Sequence, residues 1–338
     1  MCPALDSSAT PPTMLTTLTL VALQEVRAAV PRVATFARRT PLLDAGLVAG
    51  RRLHLKCENM QPSGAFKLRG AANMLQQLTP EQRRAGVITF SAGNHGHAVA
   101  FAARALGVSA VVVMPTTAPP VKVDNIRRLG AEIIIGGATS DQLQARAEAE
   151  AATRQLTIVP PYDHRWIIAG QGTVGLEIVE DLPEVAAILV PVGAGGQISG
   201  IAAALKQWRP AVRLIGVEPA GANAMQQSMA AGRPVTLARC TSIADGLVPV
   251  RPGDLTFLHA QAWVDAIVTV EESDIVGAIR WLYFDRRLVV EPSGAAAVAA
   301  VLSGRVSPCL PDEGPVVAIV SGGNIAPSMM ASLLGDEP

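Results

Sequence analysis

Hydrophobic and polar positions along the chain fall into two alternating series of strands and helices. After a leader at residues 1–14 rich in Pro, Ser and Thr, residues 19–39 have the spacing of a helix that stops before Thr40-Pro41. Leu53, Leu55 and Cys57 alternate with His54 and Lys56, the period of a strand. A Pro62-Ser63-Gly64 turn signal follows, and then a helix to about Leu78.

From residue 87 the alternation is regular. Strands are expected at Val87–Phe90, Ala110–Met114, Glu132–Ile135 and 157–159, with helices at 93–106, 120–129 and Ser140–Arg154 between them. A second series has strands at Ala187–Pro191, 214–218, Ala266–Val270 and Val316–Val320. This spacing is too short for antiparallel meanders and suits right-handed βαβ crossovers. The fold class expected is therefore α/β, with two lobes built on twisted, parallel-type sheets covered by helices. We expect a small lobe at 86–163 inserted into a larger one made of 15–85 and 164–338. In such sheets ligands bind beyond the carboxyl ends of the strands.

Composition narrows the function classes. With 49% hydrophobic and 17% charged residues, the 338-residue chain is a sparsely charged globular protein with ample core. Zero net charge and the lack of a basic run argue against nucleic acid or an anionic membrane as partner. Cys2, Cys57, Cys240 and Cys309 are scattered without a CxxC pair, which indicates neither a zinc ribbon nor a disulfide framework. His95 and His97 are two apart and diverge on a helix, so a zinc pair is not expected. His54, His164 and His259 show no partner pattern. The leader lacks a basic start followed by an apolar stretch, and the apolar run at 295–302 is far too short to span a bilayer. A soluble cytoplasmic protein is the expectation.

The candidate chemistry starts from lysine. Of 28 basic residues only four are lysines: Lys56, Lys67, Lys122 and Lys206. Lys67 sits among small and apolar neighbours in Ser63-Gly64-Ala65-Phe66-Lys67-Leu68-Arg69-Gly70-Ala71. An amine that serves as nucleophile and base must lose its proton, which a desolvated lysine can do and an arginine cannot. On this stretch alone a solvated helix lysine fits equally well.

Three further junctions follow predicted strands. Ser91-Ala92-Gly93-Asn94-His95-Gly96 puts hydrogen-bonding groups at a helix N-terminus, where a carboxylate is favoured; a plain helix cap is the competing reading. Pro191-Val192-Gly193-Ala194-Gly195-Gly196-Gln197 lets successive amides converge on an anion, phosphate being the expected guest. The dinucleotide fingerprint fails there because its last glycine falls on Ile198. Ser321-Gly322-Gly323-Asn324 offers a neutral hydroxyl, although alone it is a common turn. An amine nucleophile, a phosphate cradle, a carboxylate site and a neutral hydroxyl together suit pyridoxal 5'-phosphate.

The ordered set SGAFKLRGA, SAGNHG, PVGAGGQ, ADG, EPSGA and SGGN resembles the fold-type II (tryptophan synthase β-like) pyridoxal phosphate family, in particular its threonine/serine dehydratase and serine racemase branch. The resemblance covers residues 30–330. It implies that Lys67 forms the Schiff base to the cofactor, that Phe66 packs near the ring, and that Asn94 bonds its phenolic oxygen. It further implies that Gly193, Ala194, Gly195, Gly196 and Gln197 hold the phosphate and that Ser321 faces the pyridine nitrogen. Ser91, Ala92, Gly93, Asn94 and His95 would cradle the substrate carboxylate, with Glu291 near the substrate side chain. The activity implied is β-elimination of a 3-hydroxy L-amino acid, L-threonine or L-serine by default, to a 2-oxo acid and ammonia.

Departures from the pattern sharpen this expectation. Racemases of the branch resemble SSGNHG, whose second serine supplies a proton opposite the lysine; here that position is Ala92. Glu218 and the Ala222 carbonyl match part of a divalent- or monovalent-cation site, but the expected aspartate is Ala224, and losing a hard oxygen ligand weakens the case. Asp245 is expected to shape a turn. The chain stops soon after SGGN, which suggests a short, catabolic-type enzyme, and homodimers or homotetramers are usual in the family. The alternatives are a dehydratase for a larger substrate such as phenylserine or 3-hydroxyaspartate, a serine racemase, a non-catalytic cofactor-binding protein, and, more remotely, a nicotinamide oxidoreductase.

Overall fold

The computed structural model describes residues 18–91, 93–118 and 120–335, so the leader expected at 1–14 lies outside the described residues. In chain order the strands are β1 (Leu42–Val48), β2 (Arg51–Cys57), β3 (Val87–Phe90), β4 (Ala110–Met114), β5 (Glu132–Ile135), β6 (Thr157–Ile158), β7 (Ala187–Pro191), β8 (Arg213–Pro219), β9 (Ala266–Val270) and β10 (Val316–Val320). The first helices are α1 (Leu23–Ala34), α2 (Lys67–Leu75), α3 (Pro80–Ala85), α4 (Asn94–Leu106), α5 (Pro120–Arg128), α6 (Ser140–Arg154) and α7 (Arg165–Asp181). The rest are α8 (Gly196–Leu205), α9 (Ala224–Ala231), α10 (Asp254–Trp263), α11 (Glu272–Phe284), α12 (Pro292–Leu302) and α13 (Pro327–Leu334). No described helix is long and apolar enough to cross a membrane.

The strands form two sheets, a six-stranded one in the order β1-β2-β10-β7-β8-β9 and a four-stranded one in the order β5-β4-β3-β6. All pairs are parallel except β1 with β2. Strands β7 and β10 are buried throughout, as parallel strands covered by helices on both faces must be. Ala318 and Val320 pack on one face with α11 and α12; Val317 and Ile319 pack on the other with α7 and α8. A third apolar cluster runs from α1, α2 and α7 into α4 and packs against Val87, Ala110, Val112 and Met114 of the four-stranded sheet.

Three local readings need correction. The first helix is shorter than 19–39: Val21 N–H donates to His259 Nε2 at 2.8 Å, and Arg38 trades both backbone groups with the Gln61 side chain, so both ends are spent outside the helix. This also gives His259 a partner. Strand β1 carries no alternation because only Ala45 and Val48 are buried and its register shifts between Asp44 and Leu47, so it left no strand signal. Helix α3 buries nothing and is held by a capping box of Thr79 and Gln82, which an apolar period cannot reveal.

One charged network fixes the helix that bears Lys67. Arg69, 1% exposed, donates in bidentate fashion to Glu58 (Nε–Oε2 and Nη2–Oε1 both 2.8 Å) and to Glu177 (2.6 and 2.8 Å). Lys56 Nζ lies 2.7 Å from Glu177 Oε2 and donates to Thr40 O at 2.8 Å. Burial opposes ionisation of Glu58, but the Arg69 guanidinium outweighs it and holds the carboxyl below its ordinary value. Helix α7 reaches α2 closely because Gly170 has no side chain: a Cβ there would lie 2.6 Å from Arg69 O. Replacing one partner of a buried pair strands the others. Arg69→Met should therefore lower the unfolding free energy by about 3–5 kcal/mol, read by urea denaturation, whereas Arg84→Ala at an exposed pair should leave the curve where it was.

Candidate active site

The strand ends and the loop after β2 meet in the cleft between the sheets. Lys67 is the first residue of α2, and Phe66 N–H donates to Ser321 O at 3.0 Å, which seats the lysine loop beside the end of β10. Ala65 and Gly322 form an isolated bridge that repeats the link. Lys67 Nζ donates to Pro161 O at 2.8 Å and lies 5.1 Å from the Phe66 ring centroid. Lys67 is half-buried by surface, but its ammonium is enclosed, and burial alone pushes its pKa down from 10.5 to about 8.

The loop after β7 is an empty-handed set of donors. The backbone N–H groups of Gly193 to Ile198 find no acceptor among the described residues. Gly195 has φ 95°, a left-handed conformation that turns the loop into α8 and favours glycine. Both amide atoms of the buried Gln197 side chain also lack a partner. Buried polar groups are otherwise almost always paired, so a first helical turn with unpaired N–H groups and an unpaired amide fits an anion such as a phosphate ester. The loop is braced from behind: Thr256 Oγ1 donates to Ala194 O at 2.6 Å, and Tyr162 packs where a Gly196 side chain would be.

The loop after β3 behaves less simply. Ser91 Oγ accepts from Gly93 N at 3.1 Å. Asn94 Nδ2 donates to Glu291 Oε1 at 2.6 Å, and Asn94 Oδ1 accepts from Asn324 Nδ2 at 2.8 Å. These bonds fix the amide and leave one N–H of Asn94 for a ligand. Burial, then the like charge of Asp245, raises the Glu291 carboxyl to about 7, against the Asn94 bond. Ala92 lies outside the described residues. The His95 ring is held away from the loop's free N–H groups. The ring is 3% exposed and its Nε2 donates to Val159 O at 3.0 Å, so it faces the small sheet's core rather than a substrate. Burial, followed by the charge of Lys67, drives its pKa down to about 3, which keeps it neutral.

Ser321 is buried at the end of β10, its Oγ 3.4 Å from Ser293 O. Asp245, read as a turn former, also pairs with Lys122 of α5 at 2.7 Å across the cleft. The two carboxylate oxygens of Glu218 accept from Met225 and Gln226 N–H, each at 2.8 Å, capping α9. Ala224 adds no oxygen ligand, and no group of three or more His, Cys, Asp or Glu among the described residues is arranged to hold a metal. Sequence reading missed Pro161, Tyr162, Thr256 and the roles of Lys122 and Asn324. The available signal was the end of β6, another strand end of the same sheet.

The amine, the unpaired anion loop and the neutral hydroxyl agree with a comparison of the whole chain. A model of the family described as pyridoxal-phosphate dependent enzyme matches residues 33–322. The chain belongs to that family. It is 39% identical over 308 residues to a serine racemase of Oryza sativa subsp. indica, covering 90% of this chain and 91% of the relative. It is 39% identical over 319 residues to an L-threonine ammonia-lyase of Thermotoga maritima, covering 93% of this chain and 78% of the relative. The solved structure of maize serine racemase matches with TM-score 0.89 at 37% identity, covering 92% of this chain and 96% of that one. The α/β architecture expected for fold type II is thus the one observed, and pyridoxal 5'-phosphate is the cofactor.

The depressed Lys67 amine has a stability consequence. Between pH 8 and 10.5 the unfolded chain holds a proton that folded Lys67 has given up, so this group makes stability rise with pH across that window. In cofactor-free protein, the unfolding free energy of wild type minus that of Lys67→Met should climb from about pH 8 upward and level off above 10.5; a flat difference would show an unperturbed amine.

Proposed function

We propose that this enzyme removes water and ammonia from a 3-hydroxy L-amino acid, with L-threonine and L-serine as the first candidates. The observation that carries the proposal is the enclosed amine of Lys67, whose pKa burial lowers to about 8, in a chain whose residue 92 is an alanine. When bound, pyridoxal phosphate supplies the electron sink that acidifies the substrate α-hydrogen. Lys67 would hold the cofactor, and its Nζ would take the α-proton. The N–H groups of Gly193, Ala194, Gly195, Gly196 and Gln197 bind the phosphate. The backbone at Ser91 to His95 binds the substrate carboxylate, and the free N–H of Asn94 bonds the cofactor's phenolic oxygen. Ser321 gives the pyridine nitrogen a hydroxyl rather than a carboxylate, which does not stabilise a positive ring. A hydroxyl at this position would suit elimination of the β-hydroxyl. The released enamine then takes up water and gives the 2-oxo acid and ammonia. On this reading residues 86–163 act as a small lobe closing on the larger one.

Serine racemisation is the second reading, and overall similarity does not separate the two: the rice racemase and the Thermotoga lyase are both 39% identical to this chain. Residue identity supports elimination, because a methyl group at position 92 has no proton to return to the opposite face.

Purified protein should take up pyridoxal phosphate with a visible absorbance band that Lys67→Ala abolishes along with activity. L-Threonine and L-serine should yield 2-oxo acid faster than any D-isomer appears by chiral chromatography. D-Serine forming faster than pyruvate would reverse the assignment, and a larger 3-hydroxy amino acid turning over best would move the substrate.

A further inference from the structure

The amine of Lys67 and the phosphate-type loop follow two strands of the six-stranded sheet, β2 and β7, and one short segment after β6 of the other sheet touches both. Pro161 O accepts from Lys67 Nζ at 2.8 Å, and Tyr162 Cβ lies 2.9 Å from where a Gly196 Cβ would stand. The next residue, Asp163, reaches away from the cleft to the start of α10. Its Oδ2 accepts from Asp254 N–H at 3.1 Å, and its Oδ1 accepts from Leu255 and Thr256 N–H, both at 3.0 Å. Helix α10 has Gly253 at its N-cap with no side-chain cap of its own, so the cap is lent by a residue some 90 positions earlier. Gly253 makes room for it, since a Cβ there would lie 2.2 Å from Asp163 Oδ1.

The same first turn of α10 grips the anion loop. Thr256, whose N–H bonds Asp163, sends its hydroxyl to Ala194 O at 2.6 Å, and its own carbonyl accepts from Ser199 Oγ of α8 at 3.1 Å. One carboxylate therefore ties segment 161–163 to the helix that holds Ala194. A carbonyl fixed beside Lys67 takes one of its N–H bonds and leaves the rest of the amine directed into the cleft.

We infer that Asp163 is a positioning residue that sets Lys67 and the phosphate loop in a common frame, through Pro161 on one side and Thr256 on the other. The inference rests on the proposed cofactor roles of Lys67 and residues 193–197. Burial raises the Asp163 carboxyl above its ordinary value while the three N–H groups favour its ionised form, as a charged cap requires. Asparagine at this position can still accept from α10 N–H groups, whereas alanine accepts none.

The test uses full-length protein stripped of cofactor and titrated with pyridoxal phosphate, with binding read by absorbance and folding by thermal melting. Asp163→Ala should weaken cofactor affinity about tenfold, the scale of one lost helix cap, and shift the pH at which the visible band titrates. Asp163→Asn should recover most of the affinity. Gly253→Ala, which pushes a methyl into the carboxylate, should copy the alanine variant and decides the matter if Asp163→Ala does not fold. A lowered melting temperature with wild-type affinity and an unmoved band titration would reduce Asp163 to a structural cap and overturn the inference. Wild type that takes up no cofactor would instead overturn the functional reading itself.

Discussion

The structure depends first on where Arg69 is held. One residue separates it from Lys67 on the same helix, and its buried guanidinium is locked by two bidentate carboxylates. A bidentate guanidinium pair fixes orientation as well as position. Glu58 comes from the segment after β2, and Glu177 from the last turns of α7, so both the sheet and its longest covering helix fix the azimuth of α2. Lys56 and Thr40 complete the partners, which is what makes a buried multi-charge cluster tolerable. With α2 clamped from behind, Lys67 can only face the cleft. The charge that would stabilise a lysine as a cation has been used up on the other side of the helix, by Arg69 and Lys56, and Lys67 is left with a carbonyl.

Close backbone approach is the second constraint. The cleft is assembled from loops that leave strand ends, and those loops touch through glycine. A Cβ on Gly322 would fall 2.1 Å from Glu291 Oε1, so the buried carboxyl that holds Asn94 fits only because the end of β10 has no side chain there. The small and large sheets then meet through Asn94, Asn324 and Ser63, whose carbonyl takes both Asn324 Nδ2 at 2.9 Å and His97 Nδ1 at 3.1 Å. On the open side, the Lys122–Asp245 pair is the only ion pair among the described residues that joins 86–163 to the rest of the chain.

Much of this was legible in the amino-acid order because parallel strands buried on both faces write continuous apolar runs, and glycine-rich loops write themselves at their ends. Val87–Phe90, Ala187–Pro191 and Val316–Val320 were read at the residues where they occur. Edge strand β1 and helix α3 were not, since neither buries a face that would impose a period. At the cleft, Lys67, Asn94 and the 193–197 loop carry their chemistry in their residue types. Pro161 acts through a backbone carbonyl, which any residue offers, and Thr256 and Asp163 act through contacts about 60 and 90 positions away in sequence. His95 misled for the opposite reason. It sits beside Asn94 in sequence, but one helical step rotates its ring by about 100° into the core under β6.

Desolvation then does two opposite things at one site. It lowers the Lys67 amine from 10.5 to about 8 and raises the Glu291 carboxyl from 4.5 to about 7. Burial favours the uncharged form of each group, which brings two values that lie far apart in water closer together. The proposed removal of a proton from carbon would gain from such a match, because a base far from the working pH is either occupied or too weak. Fixed charges could not provide it, since an arginine near Lys67 would leave the amine neutral but the carboxyl fully ionised. The surroundings supply N–H dipoles and a hydroxyl, neutral groups that do not pin the proton.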